Sequence, residues 1–596
     1  MLQKMLIVLG AMIATASCSQ SSDDLGSRGT GVIVYAGATI YTMNPLQETA
    51  ESLVVSGEGR IAFLGSTSDA MAFAGGDAEV RDLTGKTIIP GFFDGHAHPG
   101  LIGVFGSEDI IDQDAVLPKL SKEDTLEWLR QYSNSPNLPP FIVLGEWDVE
   151  AFLPAGPTRE ELDAIFPHRP VLLADNSGHS FWLNSVALKL AGVDENTADV
   201  SPGISYLVRD DAGALTGWVK EFALMEQMTP LLSIPHEDLK TGIKEYVDWL
   251  SARGVTTLLD AGNFLWTDDV YNAMAELDRE GELPMRIEGA YHVWAPQQLD
   301  AAISEMHRLQ SAYGGERLNI NTMKVHFDGV TEIGTAGMLE PYDIGTSSRG
   351  GVLFSAEELQ SLIIDLEREQ IHLHVHAVGD WAVREALDAV EGAIDELAKP
   401  LSIEVTLSHL EIVAPRDISR FSELDVHANF TPHWFAGNHF GGAARVWLGA
   451  ARSKRQQVAQ HFVDAGVNVT FSSDTTTAIE RHRSNPFVGI QMGVTRAEYG
   501  DPEATTYGPE SARMTLQDTM RAYTINGARQ FGMAASHGSL VTGKSADFIV
   551  LPADIFQMNI NDVHSLLPET VYVDGVLETE NISPQHEDGT IEGDKT

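Results

Sequence analysis

The chain has a single cysteine, Cys18, in 596 residues. One thiol cannot close an intramolecular disulfide in any compartment, so a transition-metal site must be built from histidine, carboxylates or modified lysine. Positive charge is also scarce. Against 85 Asp and Glu stand 39 Lys and Arg, a formal net charge of −46. Such a surface repels phosphate backbones and has no counterions to release from them, which excludes nucleic acid as a partner. The apolar run from Met5 to Ala14 is too short to span a bilayer and has the length of a secretory h-region.

The hydrophobic content of 43% is that of a globular chain. At this length it suits one large enzyme domain with appendages, or two to four domains. In "TASC", Ala16 and Ser17 precede Cys18 as small residues precede the modified cysteine of a bacterial lipoprotein signal, an alternative being an ordinary cleaved signal peptide. Ser19 follows rather than Asp, which favours the outer membrane. The expected location is therefore the cell envelope, facing the periplasm, with membrane contact only through a lipid on Cys18. A homodimer is one assembly this reading admits.

Beyond the signal (1–18) and a polar tether (19–31), residues 32–89 alternate β-rich runs such as "VIVYAGATIYT" with Gly turns, and 537–580 have the same character ("ADFIVLPADI", "VYVDGVLE"). Two β-rich ends around a long α/β middle predict a β-sandwich built from both. An acidic tail, 581–596, is expected to be disordered. In the middle, Leu239, Ile243, Tyr246, Val247 and Leu250 form one helical face before "VTTLLDAG". Ser355 and Glu358 make a capping box before a helix leading into "IHLHVHAVGD". With "IIPGFFDGHAH", "MRIEGAYHV", "LNINTMKVHF", "SIEVTLSHL", "DVHANFTPHW" and "VNVTFSSD" this makes eight strand-like runs, mostly separated by helical segments. An α/β fold, a (β/α)8 TIM barrel, is the expected architecture. Its first strand would lie in 90–100 and the rest in 236–536. Roughly 155 residues separate His98 from Val255, where a strand–helix unit takes about 30. A subdomain inserted over 101–235 accounts for the interval. There is no internal repeat and no low-complexity tract.

Barrel enzymes carry their catalytic groups at the C-terminal ends of strands. Here the first run ends in His96 and His98, the fourth carries Lys324, the fifth ends in His376, the sixth in His409 and the eighth in Asp474. His372, His374 and His376 share one face of their strand, while Ile371, Leu373 and Val375 share the other. Four histidines, a lysine and an aspartate suit two divalent ions if the lysine amine becomes a carbamate by reaction with CO2, since an ammonium cannot ligate. Imidazole-rich sites suit zinc, with manganese or iron as alternatives.

Taken in order, "PGFFDGHAHP", "MKVHFDG", "HVHAVGD", "LSHLE" and "SSDTTT" resemble the amidohydrolase superfamily, in its branch of N-substituted formamide deformylase-like (YtcJ-like) proteins. "ADNSGHSFWLNSVAL", "VRDDAGALTGWVKE" and "GSLVTGKSADFIVL" extend the likeness to roughly residues 32–580. The resemblance implies that His96, His98 and Asp474 hold one metal and that His376 and His409 hold the second, with carboxylated Lys324 as the bridge. Trp381, Ser408 and the run "SSDTTT" depart from the branch's pattern; these leave the ligand set intact and bear on substrate preference.

The implied reaction is hydrolysis of an amide of the N-acyl or N-formyl amine type in a small molecule, with Asp474 as proton shuttle. His179 in the insertion is a second catalytic candidate. Trp147, Trp182, His292 and His433 are candidate substrate contacts, with Phe181 beside them. Three other readings stay open: a mononuclear deaminase, an esterase or carbamate hydrolase on the same site, and a non-catalytic lipoprotein that binds metal or a small ligand.

Overall fold

The structure, a computed structural model, describes residues 31–106, 117–345, 347–437, 441–501 and 503–581. Cys18, the signal, nearly all of the tether and all but the first residue of the acidic tail lie outside the described residues. No helix among the described residues is long and apolar enough to cross a membrane.

Eight parallel strands form the central sheet, numbered here β1 (Phe92–Ala97), β2 (Val255–Asp260), β3 (Arg286–Val293), β4 (Leu318–His326), β5 (His372–Ala377), β6 (Val405–His409), β7 (Val426–Phe430) and β8 (Val469–Phe471). Each pairs with its neighbour in chain order. Between β8 and β1 the ring is drawn together by single bonds rather than a ladder. Asp474 N donates to His96 O at 2.9 Å, and Ser473 N to the Asp94 carboxylate at 2.9 Å. The sheet is thus a nearly closed (β/α)8 barrel.

Its helices follow from the apolar periodicity. Helix Ala356–Glu369 starts at the expected capping box, with Glu358 N donating to Ser355 Oγ at 3.2 Å and Ser355 N to the Glu358 carboxylate at 2.8 Å. It buries Leu359, Leu362, Ile363 and Leu366 in the core that also takes Ile371, just ahead of β5, and Leu373 and Val375 from the outer face of β5. Full burial of one such side chain stabilises by about 1.5–3 kcal/mol. Helix His236–Ser251 buries Leu239, Ile243, Tyr246, Val247 and Leu250 in the same way.

The β-rich ends meet in one eight-stranded sheet. Phe548–Leu551, from the C-terminal part, pairs antiparallel with Thr87–Pro90, which pairs in parallel with Ile33–Tyr41. The two layers of the expected sandwich are two arcs of this single sheet, which curls around Tyr35, Phe548 and Tyr572. Where the arcs meet, a Cβ on Gly59 (φ +73°) would lie 1.9 Å from Asp574 O, so only glycine allows the closure.

The insertion after β1 carries its own five-stranded sheet, from Ile142–Trp147 to Leu215–Lys220. Its core is shared with Ile333, Ile412 and Trp447, which follow β4, β6 and β7. The subdomain therefore sits over the C-terminal mouth of the barrel.

Candidate metal centre and active site

The inward faces of the strands converge at that mouth. His96 ends β1, and His98, one residue past it, precedes the helix Pro99–Phe105. His98 Nδ1 donates to Gly262 O at 3.2 Å, which turns Nε2 toward His96 Nε2, also 3.2 Å away. Asp474 Oδ1 lies 3.4 Å from both of these nitrogens. A triangle with sides of 3.2–3.4 Å is the face of a tetrahedron whose metal–ligand bonds are about 2.0–2.1 Å. Residues and spacing alike fit a divalent ion.

Lys324, on β4, reaches within 3.3 Å of His96 Nε2. His409 Nδ1 stands 3.1 Å from Asp474 Oδ2, so the carboxylate links the two halves of the set. His409 lies in register with Ala377, on the row that should face away from the barrel. Its φ of +75°, followed by +47° at Leu410, turns the chain and brings the imidazole over the mouth. Such backbone costs on the order of 1–3 kcal/mol and is held by the packing around it. The His376 ring is 4.4 Å from that of His409, with Nε2 against Gly329 O at 3.2 Å.

Electrostatics suit ligation. Burial, with Lys324 nearby, holds the His96 imidazole well below its ordinary value; burial lowers His376 likewise and takes His409 to about 4 despite Asp474. Their lone pairs are free for a metal. Burial brings Lys324 to about 7. Although burial would raise Asp474, the imidazoles of His96 and His409 keep its carboxyl well below the usual range.

The structure adds residues that the sequence reading did not assign. His179 Nδ1 is 2.6 Å from Glu221 Oε2, and His326 Nε2 is 3.8 Å from the same oxygen. The His326 ring stacks on His376 at 4.0 Å. Burial works against both charges of the pair, yet Glu221 raises His179, while His179 and His326 hold Glu221 down at about 2. His374 on β5 meets His96. His326 and His374 were detectable, since one shares its face with Lys324 and the other with His376. Glu221, remote in sequence, carried no such signal.

Three of the expected substrate contacts lie elsewhere. Trp147 and Trp182 are fully buried and pack edge-to-face with Phe152 in the core of the insertion. Alternation explains this: on strand Ser180–Leu183, Phe181 faces the cavity and Trp182 the opposite side, and Glu146 lines the cavity in place of Trp147. His433 donates from Nε2 to Ser473 O at 2.7 Å and braces the segment that carries Asp474. His292 does line the cavity, with its ring 4.6 Å from Phe264.

Comparison with known proteins identifies the family. The amidohydrolase family model matches residues 79–577. The exoenzymes regulatory protein AepA of Pectobacterium carotovorum subsp. carotovorum is 29% identical over 67% of this chain and 85% of its own length. An N-substituted formamide deformylase of Arthrobacter pascens is 25% identical over 92% of this chain and 98% of its own. The crystal structure of an uncharacterized metal-dependent hydrolase from Pyrococcus horikoshii superposes with a TM-score of 0.63 at 25% identity, covering 89% of this chain and 99% of that one. With the family matched over most of its length and candidate metal-binding residues gathered at the barrel mouth, the chain belongs to the amidohydrolase family and is a metal-dependent hydrolase of carbon–nitrogen bonds.

Proposed function

We propose that this protein hydrolyses the amide bond of a small N-acyl or N-formyl amine, with Asp474 moving the proton. One observation carries the reading: the Asp474 carboxylate reaches His96 and His98 with one oxygen and His409 with the other. In this reading His96, His98 and Asp474 hold one divalent ion, His376 and His409 hold a second, and a carbamate on Lys324 bridges them. Zinc suits the imidazoles, with manganese or iron as alternatives. Ions so held would activate a water and polarise the carbonyl.

Asp474 takes a proton from the attacking water and delivers it to the nitrogen as the C–N bond breaks, leaving a carboxylic acid, which ionises to solvent, and an amine. His179, its Nδ1 held by Glu221, presents its other nitrogen to the cavity and orients the carbonyl. The similarity to a formamide deformylase over nearly its whole length supports an amide as the substrate.

The test is amine release from a panel of N-formyl and N-acyl amines by full-length protein loaded with zinc and bicarbonate, with metal analysis of the same sample. Two ions per chain and release of amine are expected. Fully loaded protein that releases no amine overturns the reading. We further propose an envelope location through a lipid on Cys18. Fatty-acid labelling that is absent, or unchanged membrane association in Cys18→Ala, would refute it.

A further inference from the structure

The cavity over the ligand set has two unlike sides. Toward β1 and β2 it is walled by Leu101, Phe105 and Trp266, joined by Met225, Met228 and Leu232 of the insertion. Across the mouth, beyond β4 and β6, Glu332 and Glu411 line it, each only 8% exposed. The Thr331 hydroxyl donates to Glu411 and lies 3.4 Å from Glu332 Oε2, and Gln456 Nε2 donates to the second Glu411 oxygen. Burial raises both carboxyls, Glu411 raises Glu332 further, and among the described residues no cationic side chain offsets either.

Beside this pair is Gln457, 4% exposed and lining the same cavity. Its backbone N–H donates to Glu411 O at 3.0 Å, which fixes it there, and its side-chain oxygen has no hydrogen-bond partner among the described residues. A buried acceptor without a donor costs about 1–3 kcal/mol, so its place in the wall points to a ligand that brings N–H groups. The lining as a whole has six carboxylates and one lysine, Lys324, and no arginine among the described residues. On the Glu332 and Glu411 side the two carboxylates would repel a carboxylate on the substrate.

We propose that the substrate is a monoacylated diamine. Its apolar acyl group lies on the Leu101, Phe105 and Met228 side, its amide at the ligand set, and its free ammonium between Glu332, Glu411 and the Gln457 oxygen. The proposal rests on the amide-hydrolase reading above and narrows it. One water adds across the C–N bond, giving a fatty carboxylate and a free diamine.

The test uses metal-loaded full-length protein and three octanoyl amides of equal length: of a four-carbon diamine, of butylamine, and of a four-carbon amino acid. The diamine amide should exceed the neutral amide in kcat/KM by roughly 10- to 100-fold, the worth of one charge-assisted hydrogen bond, and the carboxylate amide should be the poorest. In the double variant Glu332→Gln, Glu411→Gln the ratio between cationic and neutral amides should fall at least about tenfold. Calorimetric binding of the four-carbon diamine alone, with and without the double substitution, separates this inference from the hydrolase reading. Binding that depends on the two glutamates, without turnover of any amide, would leave the cation site standing and remove the hydrolase. Turnover with no preference for the cationic amide overturns the diamine and leaves the hydrolase. If the diamine does not bind and no amide is turned over, both are overturned.

Discussion

Nε2 of His374 lies 2.9 Å from Nδ1 of His96. The contact engages Nδ1 of His96 and leaves Nε2 facing Asp474; for Nε2 to hold an ion, Nδ1 would carry the ring proton and donate it to His374. His374 thus acts through His96 rather than on the metal. His374→Ala should lower zinc affinity by about 10- to 100-fold, as loss of an outer partner of a metal-bound histidine does. Chelator competition would measure it, and unchanged affinity would remove His374 from this role.

Asp474 allows ligation and proton transfer to be separated. Asp474→Asn keeps the shape and one weakly ligating oxygen but cannot accept a proton at neutral pH. It should keep most of its metal and lose activity by about 10²–10⁴-fold. His98→Ala should lose metal and activity together. Parallel metal analysis and turnover would show the contrast, and near-normal turnover in a metal-replete Asp474→Asn would pass the shuttle role to His179.

In the proposed site Lys324 is the one residue that would need a reaction before it could bind. Lys324→Ala should be partly loaded and inactive, and a short carboxylate supplied with metal should restore some activity by providing the missing bridge. A content of two ions per chain in the unrescued variant would show that no bridge from Lys324 is required.

Far from the site, burial pushes the Glu288 carboxyl up to about 8, against the hydrogen bond that Asn319 donates at 2.7 Å. The folded chain then holds a proton that an unfolded glutamate gives up near pH 4.5. Its contribution is full below that pH and is lost as pH rises toward about 8, by at most about 1.4 kcal/mol per pH unit. Glu288→Gln is neutral throughout and should flatten the fall. Unfolding measured at about pH 5 and about pH 7.5 tests this, and parallel slopes in the two proteins would assign the pH dependence to other groups.

Much of the barrel, and of the side chains that gather at its mouth, was legible because strand alternation is a local property. His96, Lys324 and His376 stand on inward rows that a period of two reveals. His409 was legible only as a strand end: by register it belongs to the outward row, and its left-handed backbone, which no pattern announces, brings it inside. Trp147 and Trp182 misled because a large aromatic beside a candidate site reads equally as core, and which face of a strand meets solvent is set by what packs on the other side. Glu221 reaches His179 through the antiparallel pairing of Leu215–Lys220 with Ser180–Leu183, a relationship between distant segments that composition does not encode.

The curled sheet has a bearing on the order in which the molecule can be made. Thr87–Pro90 runs directly through Gly91 into the strand that carries His96, yet its antiparallel partner, Phe548–Leu551, leaves the ribosome more than four hundred residues later. Until then Thr87–Pro90, just ahead of the strand that carries His96, has one edge unpaired. A polypeptide stopped short of Phe548 would hold every barrel strand and every candidate ligand, yet Thr87–Pro90, which leads into the first of those strands, would lack its antiparallel partner.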